Sequence, residues 1–136
     1  MRTRALMVDT AGTIMSVELD GTDTTTVCRD IYRHLSARWY DAVPFIGGVS
    51  LYVDDEASML VNGEPRKPIN DTMSLMLAHV GRASILRGPG LFIASDVRGM
   101  PLSLSDEQAA RVTSAWSAAN RAFALDGAKI TALLSH

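Results

Sequence analysis

Gly47-Gly48-Val49-Ser50-Leu51-Tyr52-Val53-Asp54-Asp55-Glu56 is the stretch that decides the fold. A β-branched and aromatic run bounded by turn formers reads as a strand. Val49, Leu51 and Val53 alternate with Ser50 and Tyr52, which points one face inward. Downstream, Met59-Leu60-Val61 runs into Asn62-Gly63, and Asn-Gly accepts positive φ at both central positions of a two-residue hairpin. Pro65 and Pro68 then argue against a long central strand, because proline has no N–H for the ladder. Asn70 or Asp71 can cap a short helix carrying Leu75, Met76 and His79, with Gly81 as its stop. Ser84–Arg87 and Leu91–Ala94 read as two more strands, joined by a Gly88-Pro89-Gly90 turn or continuous through a bulge there.

Upstream, Ala5–Val8 and Thr13–Leu19 read as a hairpin around Asp9-Thr10-Ala11-Gly12. Asp20-Gly21-Thr22-Asp23 is a turn whose Thr22 or Asp23 can cap a helix running to about Ser36. Val27, Ile31 and Leu35 recur at i, i+4 and i+8 and form its buried stripe, with Arg29 and Arg33 on the other side. Near the end of the chain, Ser105 with Gln108 three residues on is a capping box. Val112, Trp116, Ala119 and Phe123 make the apolar stripe of the helix that follows. Asp126-Gly127 is expected to break or kink it, and the apolar tail from 127 to 136 to dock on this domain or on a partner.

Composition narrows the class. A length of 136 residues suits one domain, 1–136, with its own core. An apolar fraction of 47% with 21% charged residues argues against disorder. A net charge of −2 gives no field for strong non-specific DNA binding. One cysteine, Cys28, excludes an intrachain disulfide framework and a cysteine-rich zinc site, and fits a reducing cytoplasm. No run approaches the roughly 20 apolar residues of a membrane span. The expected fold is α+β: a mostly antiparallel sheet of short strands with two principal helices packed against it.

Two groups of side chains are candidates for function. Arg29, Arg33, Arg38, Trp39 and Tyr40 place cations beside aromatics, which suits phosphate binding and stacking of a base or nucleotide. Their alternative is a solvated basic face with Trp39 in the core. Asp54, Asp55 and Glu56 cluster at a strand end, where enzymes place metal ligands and acid–base pairs; the alternative is a solvated loop. His34, His79 and His136 share no ligand spacing. Gly88-Pro89-Gly90 lacks the Lys-Ser/Thr of a phosphate loop and is better read as a hairpin turn. No hydrolase, zincin or dinucleotide motif occurs in the chain. No cofactor is expected.

The order Tyr40-Asp41-Ala42-Val43, Leu51-Tyr52-Val53-Asp54-Asp55-Glu56, Pro68-Ile69-Asn70, Gly88-Pro89-Gly90-Leu91-Phe92-Ile93 and Leu104-Ser105-Asp106-Glu107 also resembles a domain-of-unknown-function family. Its members are small proteins of phages and mobile elements, many in actinobacterial hosts. The resemblance runs from Tyr40 to Glu107. It implies a context and no established activity; taken with the absence of catalytic motifs, it leads to the expectation of a non-enzymatic accessory protein in the cytoplasm of a bacterial host. Such a protein binds a host or defence-system protein, in host takeover or counter-defence. The alternatives are a nucleotide or nucleic-acid binder using the arginine–aromatic group, and a metal-dependent hydrolase or nuclease using the three carboxylates. A homo-oligomer is a further expectation, because a small sheet has exposed edges.

Overall fold

The structure, a computed structural model, describes residues 3–20, 23–82 and 84–134, with side chains as far as Ala122. The strands of the main sheet are β1 (Thr3–Val8), β2 (Ile14–Leu19), β3 (Tyr40–Pro44) and β4 (Val49–Asp54). A separate hairpin is formed by β5 (Leu60–Val61) and β6 (Glu64–Pro65), and β7 (Gly90–Ser95) and β8 (Pro101–Leu102) complete the strands. The helices are α1 (Thr24–Leu35), α2 (Asp71–His79) and α3 (Asp106–Leu134). The main sheet is antiparallel throughout, in the order β2-β1-β7-β4-β3, with β8 pairing the end of β7. This is the expected α+β architecture, with a third helix, α2, beside the two principal ones.

Both faces of the sheet are covered, which explains why β7 reads Gly-Leu-Phe-Ile-Ala without polar alternation. Phe92 and Ala94 of β7 join Leu6, Val8, Leu51 and Val53 under α2 and α3. Leu91 and Ile93 point the other way, onto Val27, Ile31 and Leu35 of α1. Phe92, Leu91 and Ile93 are fully buried, and each such side chain contributes roughly 1.5–3 kcal/mol by leaving water. At Gly90 a Cβ would overlap the ends of the Met73 and Leu51 side chains, so α2 packs onto the sheet in the space that glycine leaves.

Local chemistry sets the element ends. Asp23 caps α1 by accepting from the Thr26 N–H, which holds its carboxyl below the ordinary value. Ser105 and Gln108 form the expected reciprocal box at α3. Asn62 and Gly63 take positive φ in the β5–β6 hairpin, with Pro65 in the ladder outside the main sheet.

Several expectations change. Ser84–Arg87 is not a strand: the Leu86 N–H goes to Ser74 Oγ and its carbonyl accepts from the Asn70 N–H, so this backbone is bonded to the start of α2. Gly88-Pro89-Gly90 is accordingly not a hairpin turn. It is the lead into β7, tied to Pro68 through the Gly88 N–H. Tyr40–Pro44 is a strand the sequence did not reveal. Helix α3 runs unbroken through Gly127, since one interior glycine costs only about 1 kcal/mol, less than a helix of this length can absorb. The side chain of Phe123 and the docking of the 127–136 tail lie outside the described residues, as do Gly21, Thr22 and His136.

Candidate functional site

Strand β4 ends at Asp54, and the chain then turns through Asp55 and Glu56 towards the β5–β6 hairpin. The turn is fixed by its own backbone: Asp54 Oδ1 accepts the Glu56 N–H at 2.9 Å, and the Asp55 N–H reaches the Trp39 carbonyl at 3.0 Å. Sheet alternation aims the Asp54 side chain at α1, where it is fully buried. There Lys67 Nζ meets its Oδ2 at 2.7 Å. The same ammonium donates to the carbonyls of Leu35 (2.6 Å) and Ser36 (3.1 Å) at the C-terminal end of α1. A cation suits the negative end of the helix dipole. Burial pushes the Asp54 carboxyl up, but the Lys67 ammonium, the Glu56 N–H and the Arg66 charge outweigh it and hold it below the ordinary value.

Glu56, mostly buried, receives two arginines. Arg38 grips it with two prongs, Nε to Oε1 at 3.2 Å and Nη2 to Oε2 at 2.9 Å, and Arg66 Nη1 lies 3.8 Å from Oε1. These bonds raise the Arg38 pKa further. Arg66 also donates to the Ser36 carbonyl, and its N–H bonds the Met59 carbonyl at 2.7 Å. The hairpin is therefore rooted on the end of α1 and the end of β4 together.

The two groups suggested by the sequence thus interlock. Arg38 of the first is the partner of Glu56 of the second. Arg33 is spent on Asp30, Nε to Oδ1 at 2.7 Å, and Asp30 is a buried carboxylate that also accepts the Asp20 N–H at 2.8 Å. Arg29 is exposed on α1. Tyr40 is half-buried between Tyr32 and Tyr52, with ring centroids 4.7 and 5.3 Å away, and its hydroxyl donates to Cys28 Sγ at 3.4 Å. Burial, then the thiol contact, pushes its pKa up. Tyr40 is a packing residue rather than an open stacking platform. Trp39 is not core: it is 57% exposed, because its backbone carbonyl is fixed by Asp55 while its neighbour Tyr40 takes the inward place.

Asp54 and Glu56 are held by cations, and Asp55 is exposed. Among the described residues no group of three His, Cys, Asp or Glu side chains is arranged to hold a metal. Apolar side chains also stand outward beside the network. Met59, Leu60 and Val61 are 52, 68 and 55% exposed on the hairpin, and Trp39 stands on the segment that anchors it. Elsewhere an open pocket of about 400 Å³ lies between α2 and α3, with Ile46, Val80 and Ala115 in its wall and His79 and Arg111 at its rim. Arg111 there pairs with Glu107 at 3.1 Å.

Sequence reasoning missed Lys67 and Asp30. Nothing in spacing links Lys67 to Asp54 or to Leu35, because the hairpin folds the chain back. Asp30 gave a local signal, since it stands three residues before Arg33 on one helix. No helix among the described residues is long and apolar enough to cross a membrane. No family model matches the chain, and no similar protein is found among curated sequences or solved structures.

Proposed function

We propose that this chain is a non-enzymatic binding protein that docks on another protein through the β5–β6 hairpin and Trp39. One observation carries the reading: four exposed apolar side chains, Trp39, Met59, Leu60 and Val61, sit on a support clamped by the Asp54–Lys67 and Glu56–Arg38 pairs. Preorganised apolar anchors bind at low ordering cost, and tryptophan is enriched among the residues that dominate interfaces. Two of the three candidate carboxylates, Asp54 and Glu56, are engaged in supporting this surface. The resemblance to small phage and mobile-element proteins supplies the context, in which the partner is a host or defence-system protein in the bacterial cytoplasm.

The test is capture of partners by the tagged chain from a bacterial lysate, with and without nuclease. A host protein that survives nuclease and is lost with Trp39→Ala supports the reading. Enrichment that disappears with nuclease transfers the role to Arg29, Arg33 and Arg38 as a nucleic-acid surface.

A further inference from the structure

The two edges of the main sheet are finished differently. In β3 the odd-numbered residues bond to β4. The Asp55 N–H reaches the Trp39 carbonyl and the Phe45 N–H the Val49 carbonyl, and antiparallel alternation puts Asp41 and Val43 on the same side. Tyr40, Ala42 and Pro44 therefore turn their backbone outward. Pro44 has no N–H to offer, and the Ala42 N–H is taken by Asp41 Oδ1 at 2.9 Å. An approaching strand finds little to bond there.

Among the described residues the β2 edge shows neither of these two devices. The Asp9 N–H bonds the Thr13 carbonyl at 3.0 Å, so in the observed register Met15, Val17 and Leu19 bond inward to β1. Ile14 and Ser16 turn their backbone groups outward. The strand Ile-Met-Ser-Val-Glu-Leu contains neither proline nor lysine. Met15 is 38% exposed, and half-buried Val17 lies beside it on the same face. Glu18 is engaged within its own chain.

We propose that β2 is a dimerisation edge, at which two copies of the chain pair antiparallel about a twofold axis at Ser16 into one continuous sheet. Outward residues must oppose outward residues, a condition that Ser16 facing the partner's Ser16 meets at the middle of the strand and that a slip of one residue would break. The same register sets Met15 opposite the partner's Val17 and Val17 opposite the partner's Met15. The exposed apolar row is thereby closed on the α1 side of the sheet. One strand type completes both halves, as a self-complementary twofold contact requires. A single strand pair buries less than the roughly 1,000 Å² of stable complexes, so the dimer is weak and forms in concentrated protein.

Sedimentation equilibrium of the full chain, from roughly ten micromolar to one millimolar, reads this directly. The weight-average mass should rise from 14.7 kDa towards twice that value. Ser16→Pro deletes an outward N–H and no bond to β1, so it should keep the circular dichroism spectrum and weaken association at least tenfold. Met15→Lys places a charge in the apolar row and should do the same. If Ser16→Pro fails to fold, Met15→Lys decides alone. A wild-type mass that stays at the monomer value throughout, or a dimer that survives in every folded variant, overturns the proposal.

Discussion

Lys67 Nζ lies 2.7 Å from Asp54 Oδ2 and 2.6 Å from the Leu35 carbonyl, so one ammonium joins the end of β4 to the end of α1. Lys67→Met would leave a buried carboxylate without its ammonium partner and the Leu35 carbonyl without that donor, while Ser36 keeps its bond from Arg66. Breaking one partner of a buried pair costs about 3–5 kcal/mol. Urea unfolding should show that loss, and Asp54→Asn in the Lys67→Met background should recover part of it.

The same pair makes stability depend on acid. The folded carboxyl of Asp54 titrates below its ordinary value of 3.8. Its contribution is therefore fully present above that value and is lost as pH falls through the lower, folded value. Thermal midpoints followed from neutral pH downward should drop in this acid range. In the Asp54→Asn, Lys67→Met double variant the drop should be shallower.

Asn70 is fully buried and acts in three directions. Its Oδ1 accepts the Met73 N–H at 3.0 Å, capping α2, while Nδ2 donates to the carbonyls of Gly88 (2.9 Å) and Val8 (3.3 Å). Asn70→Asp keeps the cap and turns the donor into a charged acceptor facing two carbonyls. It should cost more than Asn70→Ala, which itself should cost about 2–4 kcal/mol for groups left unpaired. Denaturation midpoints of the two variants check the order.

The arginines of α1 should separate. Arg29→Ala should change stability by less than about 0.5 kcal/mol, as surface changes do. Arg33→Ala should cost more, about 1 kcal/mol, because Asp30 stays buried while the arginine itself is largely exposed to solvent. Equal effects in chemical denaturation would contradict the role given to Asp30.

Much of the fold was legible because it is written in short-range chemistry. Asp23, Asn70 and the Ser105–Gln108 box are caps that act within a few residues, and Asn62-Gly63 makes its turn alone. The α1 stripe of Val27, Ile31 and Leu35 is likewise local periodicity. Tyr40–Pro44 was not legible as a strand, since an edge strand with Asp41 and Pro44 in it loses the alternation and β-propensity that mark one. Ser84–Arg87 misled for the opposite reason, as apolar Ile85 and Leu86 sit in a segment whose bonds go to Ser74 and Asn70. The candidate site was half visible. Every residue of the two groups could be named, but their neutralisation of one another depends on Arg38 meeting Glu56 across eighteen positions, and on Lys67 returning to Asp54.

The central claim is that the hairpin and Trp39 form a docking surface, and site-specific photocrosslinking in nuclease-treated bacterial lysate tests it most directly. A photoreactive side chain at Leu60 should crosslink one protein. The same group at exposed Thr113 on α3 should not, and Trp39→Ala should abolish the Leu60 product. Equal crosslinking from both positions, or a Leu60 product indifferent to Trp39→Ala, would contradict the account.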